Sequence, residues 1–294
     1  MPDVRVLVAG HVNWDVTLRV DKLPEPDGES RIHDQRSSGG GSAANVAYDL
    51  TLLDVPAGIV GSVGDDEYGL LATRELEESG VDLSGMARVE GEETTVKYVL
   101  VEEGGEVSML ANDGANEAVA PEDVDDAFVA SAEHVHLTSQ RPDTAAHIAR
   151  VASEAGATVS VDPGRRLAHR DYGDVLSNAD VVFVNDREAE VVLDAPPKEV
   201  FAGQVLVVKR GAAGAEVHAP DGHFEHPGFG IDPVDTTGAG DAFAAAFVAT
   251  RLDGGEYDAA LERANAAGAY TASTDGARQA PTSDALDAFI DERT

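Results

Sequence analysis

The sequence predicts an α/β fold with three layers, α/β/α, in which a predominantly parallel sheet is covered by helices and carries a small β lid. Short apolar segments recur along the 294 residues and alternate with helical patterns, which is typical of a parallel sheet. Two pairs of strand-like segments interrupt this alternation and favour a second, smaller sheet. The chain contains no cysteine, which excludes disulfides, zinc–thiolate sites and cysteine nucleophiles.

The first predicted strand is the β-branched run Val4–Gly10, which ends in glycine. Similar runs follow, each short enough for a buried strand. They are Ala57–Val60, His134–Leu137, Thr158–Val161, Val181–Val184 and Val205–Val208. Helices are predicted at Ala43–Leu53, Tyr68–Ser79, Thr144–Ala155, Asp186–Leu193 and Asp284–Arg293.

Two hairpins are predicted outside the alternation. Their segments are Val16–Val20 with Glu29–Gln35, and Thr95–Val101 with Glu106–Ala111. Turns rich in glycine, proline and acidic residues separate the members of each pair, as in antiparallel hairpins. We expect insertions at about 16–36 and 95–111 to form a lid over a site. The alternative is an edge extension of the main sheet.

The charge of the chain is strongly negative. It has 21 Lys and Arg against 55 Asp and Glu, a formal net charge of −34. Such a surface repels the phosphates of nucleic acids and anionic lipids, so neither is an expected partner. No membrane-spanning run or secretory pattern is visible, which favours a cytoplasmic location. A halophilic protein working in concentrated salt is expected to be this acidic, the alternative being an acidic protein of ordinary cytosol.

A glycine-rich turn, Asp235–Asp241, leads directly into an alanine-rich helix. Exposed amides at such a helix start form an anion site, and small residues let phosphate oxygens approach. Asp241 in the first turn would lie beside a bound phosphate, a poor position for binding an anion but a good one for a base. The alternative is that Asp241 only caps the helix.

A second glycine run, Gly39–Gly41, precedes another predicted helix. Consecutive glycines let the backbone pack against a small polar ligand, and Asn45 would direct its amide toward it. A flexible loop is the alternative. The run is not a P-loop, because no Gly-Lys-Ser/Thr follows, and the first strand lacks a dinucleotide fingerprint. His134 and His136 share one strand face and are interpreted as buried side chains rather than metal ligands.

In combination, these motifs resemble the PfkB family of carbohydrate kinases, and most closely its ribokinase branch. The resemblance runs nearly end to end and is carried by Gly10–Asp15, Gly39–Asn45, Gly61–Gly69, Asn185–Glu188, Lys209–Gly214 and Asp235–Asp241. It implies a single ribokinase-like kinase domain over residues 1–294. It also implies an ATP-dependent enzyme that transfers the γ-phosphoryl group to a hydroxyl of a small sugar.

The resemblance implies a role for each matching residue. Asp241 is expected to be the catalytic base, and the amides of Gly238, Ala239 and Gly240 to form the anion hole. The expected sugar-binding residues are Asn13, Asp15, Gly40, Gly41, Asn45 and Gln140. The expected ATP-binding residues are Asn185, Glu188, Lys209, Gly211, Gly214 and Asn265.

The resemblance also implies cofactors and an assembly. Glu188 is expected to order Mg²⁺ through water, because magnesium loses its water reluctantly. The family often binds K⁺ or another monovalent cation. The matching positions are Asp235, Thr237, Thr271, Thr274 and Gly276. Lid sheets in this family often pair between subunits, so a homodimer through the lid is expected.

Two departures bear on the acceptor. Ser42-Ala43 follows Gly41 where ribokinases usually have Lys-Gly, and Ser139-Gln140-Arg141 stands in place of a sugar-binding glutamate. Gln140 can still bond a hydroxyl, whereas Arg141 favours an anionic acceptor such as a sugar acid or sugar phosphate. A nucleoside kinase, a 2-keto-3-deoxygluconate kinase and a phosphofructokinase of the same family therefore stay open. A non-catalytic sugar- or nucleotide-binding regulator is the alternative from another class.

Overall fold

The chain folds around two β-sheets in the computed structural model, which describes residues 4–102, 104, 106–164, 169–192, 203–274 and 278–293. The strands are β1 Val6–Gly10, β2 Asn13–Val20, β3 Ile32–Gly40, β4 Ala57–Gly64, β5 Asp82–Val89, β6 Val96–Glu102, β7 Val107–Ala111, β8 His134–Thr138, β9 Thr158–Asp162, β10 Val181–Asn185, β11 Val205–Lys209, β12 Ala215–Ala219 and β13 Gly222–His226. The helices are α1 Ser42–Leu52, α2 Glu67–Glu78, α3 Asp126–Val129, α4 Pro142–Ala155, α5 Gly173–Ser177, α6 Asp186–Val192, α7 Ala239–Leu252, α8 Tyr257–Ala272 and α9 Ser283–Asp291.

The large sheet has the strand order β13-β12-β11-β10-β9-β8-β1-β4-β5. Its strands from β11 through β5 pair in parallel, whereas β12 and β13 are added antiparallel at one edge. The predominantly parallel sheet is therefore as the sequence predicts. The edge hairpin was not predicted, because its short mixed segments lack the continuous apolar character of a strand buried on both faces.

Strand β1 separates two hydrophobic layers. Val6 and Val8 pack in the core that includes α1 and α7, whereas Leu7 and Ala9 pack in the core that includes α4. Successive side chains of a strand point to opposite faces, so a strand buried on both faces is apolar at every position. The three-layer arrangement expected from the sequence is confirmed.

The small sheet has the order β3-β2-β6-β7. Strands β2 and β3 pair antiparallel, as do β6 and β7, and β2 joins the two hairpins by running parallel to β6. Its first hairpin is longer than the sequence predicts: β2 begins at Asn13 and β3 ends at Gly40. These extensions bring three expected sugar-binding positions, Asn13, Asp15 and Gly40, onto lid strands.

His134 and His136 lie on β8 and are buried, as expected. Both hydrogen-bond to the Ser160 hydroxyl, at 2.8 and 2.7 Å. Within the described ranges, the helices are too short or too polar for any one of them to cross a bilayer.

Candidate active site

Five neighbouring parallel strands end at the same edge of the large sheet and bring polar residues together there. In register, Gly10 of β1 pairs with Thr138 of β8, which pairs with Asp162 of β9. Asn185 of β10 pairs with Lys209 of β11. Ligands of open α/β sheets bind at the carboxyl ends of the strands, and the glycine-rich turn before α7 lies at this same edge.

The turn before α7 is held in a conformation that favours glycine. Gly238 is the N-cap, with a φ of 78°, which lies in the left-handed region that non-glycine residues rarely adopt. Its carbonyl accepts a hydrogen bond from the Ala242 amide at 2.9 Å, and the Ala239 amide donates to the Thr236 carbonyl at 3.3 Å. Together with Gly240, these residues place the first turn of α7, and its dipole, at the edge of the sheet.

Asp241 is half-buried in that first turn. The Asn45 side-chain amide donates a hydrogen bond to Asp241 Oδ2 at 2.8 Å. Burial raises the pKa of Asp241 to about 6, although the Asn45 hydrogen bond and the positive charge of Lys209 act in the opposite direction. A carboxyl group with this pKa is ionised at neutral pH and still basic enough to accept a proton from an alcohol.

The ammonium of Lys209 lies beside the first turn of α7. A Cβ added to Gly240 would lie 3.7 Å from its Nζ, and the ammonium donates a hydrogen bond to Asp162. Burial lowers the pKa of Lys209, but the charges of Asp162, Asp241 and Glu188 outweigh it, so the pKa is raised. Lys209 is therefore a permanent cation among three carboxylates.

Asn185 and Glu188 form a reciprocal cap at the start of α6. The Glu188 amide donates to Asn185 Oδ1 at 2.9 Å, and the Asn185 amide donates to Glu188 Oε2 at 3.0 Å. Glu188 is only 8% exposed, and burial raises its pKa. Only one oxygen of this carboxylate is used by the cap, so the Asn-x-x-Glu pattern fixes a carboxylate beside the Lys209 strand end.

A cavity of ≈ 410 Å³ opens next to this carboxylate cluster. Its walls include four of the predicted nucleotide-binding residues, Lys209, Gly211, Gly214 and Asn265. The other wall residues are Ala212, Gly228, Phe229, Gly230, Ile231, Pro233, Thr236, Ala239, Gly240, Phe243, Gly268, Ala269 and Ala272. An apolar cavity that reaches a helix N-terminus can hold a base and ribose while directing phosphates to the turn.

Two residues that line this cavity, Gly214 and Asn265, are constrained by their surroundings. Gly214 has a φ of 85°, and a Cβ there would lie 1.9 Å from the His226 carbonyl oxygen, so a side chain would push the edge hairpin outward. Asn265 donates its side-chain amide back to the Leu261 carbonyl at 2.7 Å. Its amide nitrogen is thus held by its own helix, α8, and the residue lines the cavity in a fixed orientation.

A second cavity, of ≈ 520 Å³, lies under the lid and is lined in part by Asp15, Thr17 and Val99. Asp15 is buried, and one of its oxygens, Oδ1, has no hydrogen-bond partner among the described residues. Its carboxylate packs against Gly40, where a Cβ would lie 2.4 Å from the carboxyl carbon. Gly40 must therefore be glycine if Asp15 is to keep this position.

Three further predicted sugar-binding residues, Asn13, Gly41 and Gln140, are each held by a hydrogen bond or a close backbone contact. Asn13 is buried and accepts a hydrogen bond from the Asn116 side chain at 2.6 Å. Gly41 has a φ of 92°, and a Cβ there would lie 2.4 Å from the His11 carbonyl oxygen. Gln140, after β8, is buried and its Oε1 accepts a hydrogen bond from the Arg141 amide at 2.9 Å.

The residues expected around a monovalent cation meet where the end of α8 contacts the segment before α7. The Val234 and Asp235 amides donate to the Ala272 carbonyl at 2.8 and 3.3 Å, and Asp235 Oδ1 accepts a hydrogen bond from the Thr237 amide at 2.9 Å. The Thr271 hydroxyl is buried without a hydrogen-bond partner in the described part of the chain. Thr274 hydrogen-bonds the Thr271 carbonyl. Gly276 lies outside the described residues.

Sequence reasoning missed three charged residues of this region, Asp162, Lys97 and Arg278. Asp162 ends β9, and a carboxylate at the end of an apolar parallel strand was an available signal. No sequence signal marked Lys97 or Arg278. Lys97 reaches the cleft only through pairing of the lid strands, and Arg278 only through the fold of the C-terminal segment. Arg278 packs on Gly39, where a Cβ would lie 2.2 Å from its Nη1.

Comparisons with known proteins agree with this geometry. The model of the pfkB family carbohydrate kinases matches residues 4–284. The ATP-dependent ribose-1-phosphate kinase of Halopiger xanaduensis is 61% identical over 293 residues, 99% of each chain. Ribokinase of Arabidopsis thaliana, solved with ribose and ATP, has a TM-score of 0.87 at 23% identity. The superposition covers 98% of each chain. A protein assigned as ribokinase II from E. coli, with ATP and Mg²⁺, has a TM-score of 0.85 at 24% identity, with 99% of this chain and 100% of that one covered.

Asp241 is a basic carboxylate at a glycine-rich helix start, between a nucleotide-sized cavity and a polar cleft under a lid. This is the arrangement of a phosphotransferase that acts on an alcohol. The family match places the protein within that class. The chain belongs to the PfkB family of carbohydrate kinases, and it is an ATP-dependent sugar kinase with the ribokinase-like fold that its sequence implies.

Proposed function

We propose that this kinase phosphorylates ribose 1-phosphate. The observation that carries this assignment is the identity of 61% over 99% of both chains with a ribose-1-phosphate kinase. Ribose itself, a nucleoside, 2-keto-3-deoxygluconate and fructose 6-phosphate are the competing acceptors. The neutral Gln140, in place of an acid, supports an acceptor that already carries negative charge, because a carboxylate there would repel it.

Asp241 is the proposed general base. It takes the proton of the acceptor hydroxyl as that oxygen forms a bond to the γ-phosphorus of ATP, and the bond from the γ-phosphorus to the bridging oxygen breaks to release ADP. The amides of Gly238, Ala239 and Gly240 stabilise charge on the transferring group, with the Lys209 ammonium beside them. Asn13, Asp15, Gly40, Gly41, Asn45 and Gln140 are proposed to hold the acceptor.

Mg²⁺ is proposed to bind with ATP, and it supplies charge neutralisation to the phosphates. Glu188 fits this ion because its carboxylate is fixed by Asn185 and keeps an oxygen outside the cap. K⁺ is proposed near Asp235, Thr237, Thr271, Thr274 and Gly276. The buried Thr271 hydroxyl without a partner among the described residues supports an oxygen-liganded cation there.

A homodimer through the lid is also proposed. Large apolar side chains on lid strands are exposed, including Ile32 at 51%, Met109 at 50% and Leu110 at 63%. Exposed apolar side chains on the edge strands of a sheet are candidates for association with a second copy. Light scattering at high salt tests this: a monomeric mass contradicts the dimer.

The proposed setting is the cytoplasm of a cell with a salty interior, with no nucleic-acid or membrane partner. A net charge of −34 supports it, since concentrated salt screens the self-repulsion that such a surface suffers in dilute buffer.

The experiment that tests the assignment measures ADP release and isolates the phosphorylated product for a panel of acceptors. The panel contains ribose, ribose 1-phosphate, fructose, fructose 6-phosphate, 2-keto-3-deoxygluconate and adenosine. The largest kcat/KM is expected for ribose 1-phosphate. A larger kcat/KM for another acceptor would replace the assignment. If none of the acceptors yields a phosphorylated product, the result supports the non-catalytic regulator.

A further inference from the structure

One face of the lid covers the acceptor cleft. Strands β2 and β6 pair in parallel, with Asp15 beside Lys97 and Thr17 beside Val99. Alternate residues of a strand project from the same face, and so do paired residues of neighbouring strands. Asp15, Thr17 and Val99 line the cleft. Lys97 therefore projects from the lid toward the same cleft.

Lys97 holds Asp15 only loosely. Its Nζ lies 3.9 Å from Asp15 Oδ2, and its side chain is 33% exposed where that of Asp15 is 7% exposed. A separation of this length is too great for a hydrogen bond, so the ammonium donors are not committed to the carboxylate. Burial is the main influence on the pKa of Asp241, and the charge of Lys97 lowers it, which places this cation within electrostatic reach of the proposed base as well.

The guanidinium groups of Arg278 and Arg141 each pair with a carboxylate. Arg278 Nη1 donates to Glu75 at 2.7 Å, and its side chain is 5% exposed. Arg141, which the sequence singled out for an anionic acceptor, pairs with Asp143 through two hydrogen bonds of 3.1 and 2.5 Å. Arg278 also keeps two nitrogens, Nε and Nη2, buried without a partner in the described part of the chain. The Lys97 ammonium differs in being partly exposed, on a flexible stem that lets its donors turn toward a ligand.

An acceptor phosphate in this cleft needs a cation between itself and Asp15. The carboxylate of Asp15 is suited to the sugar hydroxyls, since its Oδ1 is buried without a partner in the described part of the chain. The same negative charge repels a phosphate on the sugar. A lysine beside the carboxylate offsets its negative charge, and an ammonium is a regular phosphate ligand in proteins.

We propose that Lys97 is the residue that selects a phosphorylated acceptor, by binding the phosphate group that the sugar already carries. This inference rests on the proposed function, because it requires a sugar phosphate as substrate. It assigns the specificity to the lid rather than to the phosphoryl-transfer machinery. An acceptor without a phosphate is expected to bind without help from this ammonium.

The test compares Lys97→Met, which keeps the length of the side chain, and Lys97→Arg, which keeps its charge, with the wild-type enzyme. Steady-state constants are measured for ribose 1-phosphate and for ribose, and the affinity for ribose 1-phosphate without ATP is measured by calorimetry. Lys22→Met is the matched control, since Lys22 is exposed in the first lid turn and its loss changes the net charge equally.

In Lys97→Met, the KM and the calorimetric Kd for ribose 1-phosphate are expected to rise about 10- to 100-fold, the usual cost of one charged hydrogen bond. The constants for ribose should stay at the wild-type values, and Lys97→Arg should recover much of the affinity. Equal losses for ribose and ribose 1-phosphate overturn the proposal, because they show that Lys97 only supports the lid. A wild-type enzyme inactive on ribose 1-phosphate but active on another acceptor overturns the proposed function instead.

Discussion

The side-chain amide of Asn45 donates a 2.8 Å hydrogen bond to Asp241 Oδ2, across 196 positions of sequence. It joins the first turn of α1, which follows the glycine run, to the first turn of α7, which follows the glycine-rich turn. The two strongest sequence motifs therefore meet at one carboxylate. This contact links the proposed acceptor side of the site to the proposed phosphate side.

Replacing Asp241 with asparagine tests the base directly. We expect Asp241→Asn to lower kcat about 10²–10⁴-fold, because the acceptor proton loses its receiver. Stability at pH 7 should not fall, since an ionised carboxylate that burial disfavours is replaced by a neutral amide. Burial raises the folded-state pKa above the unfolded value, so the ionised group destabilises the fold at neutral pH. Turnover near the wild-type level contradicts the assigned role.

The pH profile of kcat/KM is expected to fall on its acid side near pH 6, following the pKa of about 6 of Asp241. Because the Asn45 hydrogen bond lowers this pKa, Asn45→Ala should move the acid limb to higher pH. Thr51→Ala, on the same helix, is the control and should leave the limb in place. An unchanged limb in Asn45→Ala would mean that another group controls it.

Gly40→Ala should damage the acceptor side selectively. The added Cβ would lie 2.4 Å from the Asp15 carboxyl carbon, so that carboxylate must move. We expect the acceptor KM to rise about 10- to 100-fold while the KM for ATP changes little. Gly104→Ala is the control, because its Cβ meets only a Glu102 carboxylate oxygen at 3.4 Å. A parallel rise in both KM values would indicate a general structural defect.

Lys209→Met should lower both turnover and stability. It leaves Asp162 and its neighbouring carboxylates without their shared cation, and breaking a buried pair typically costs about 3–5 kcal/mol of unfolding free energy. Adding Asp162→Asn should restore part of that stability, measured by denaturant unfolding, without restoring turnover. If the double variant is no more stable than the single one, the Lys209–Asp162 pair is not the source of the loss.

Salt should stabilise the protein. The net charge of −34 produces self-repulsion, which is screened as the Debye length falls from about 10 Å at 0.1 M to about 3 Å at 1 M salt. We expect the melting temperature to rise by several degrees between these concentrations of NaCl. A melting temperature that falls or stays constant would argue against a salt-adapted surface.

Local sequence determined the strands that are buried on both faces, the helices α1, α2, α4, α6 and α9, and the Asp235–Asp241 turn with its helix. These features depend on consecutive residues, whose periodicity and glycine content restrict the backbone directly. The sequence did not predict the edge strands β12 and β13 or the ends of the first lid hairpin, because pairing with neighbouring strands, not composition, defines them. The helix α8 was not predicted.

Tertiary structure alone decided which charged groups lie together and are shielded from water. It brought Asp162 to Lys209, Asn45 to Asp241 and Lys97 to Asp15, from segments far apart in the chain. A side chain's pKa and partners depend on desolvation and on distances of a few ångströms, which packing sets after the strands have found their order. The sequence therefore identified a kinase, and the folded chain decided how its acceptor site is charged.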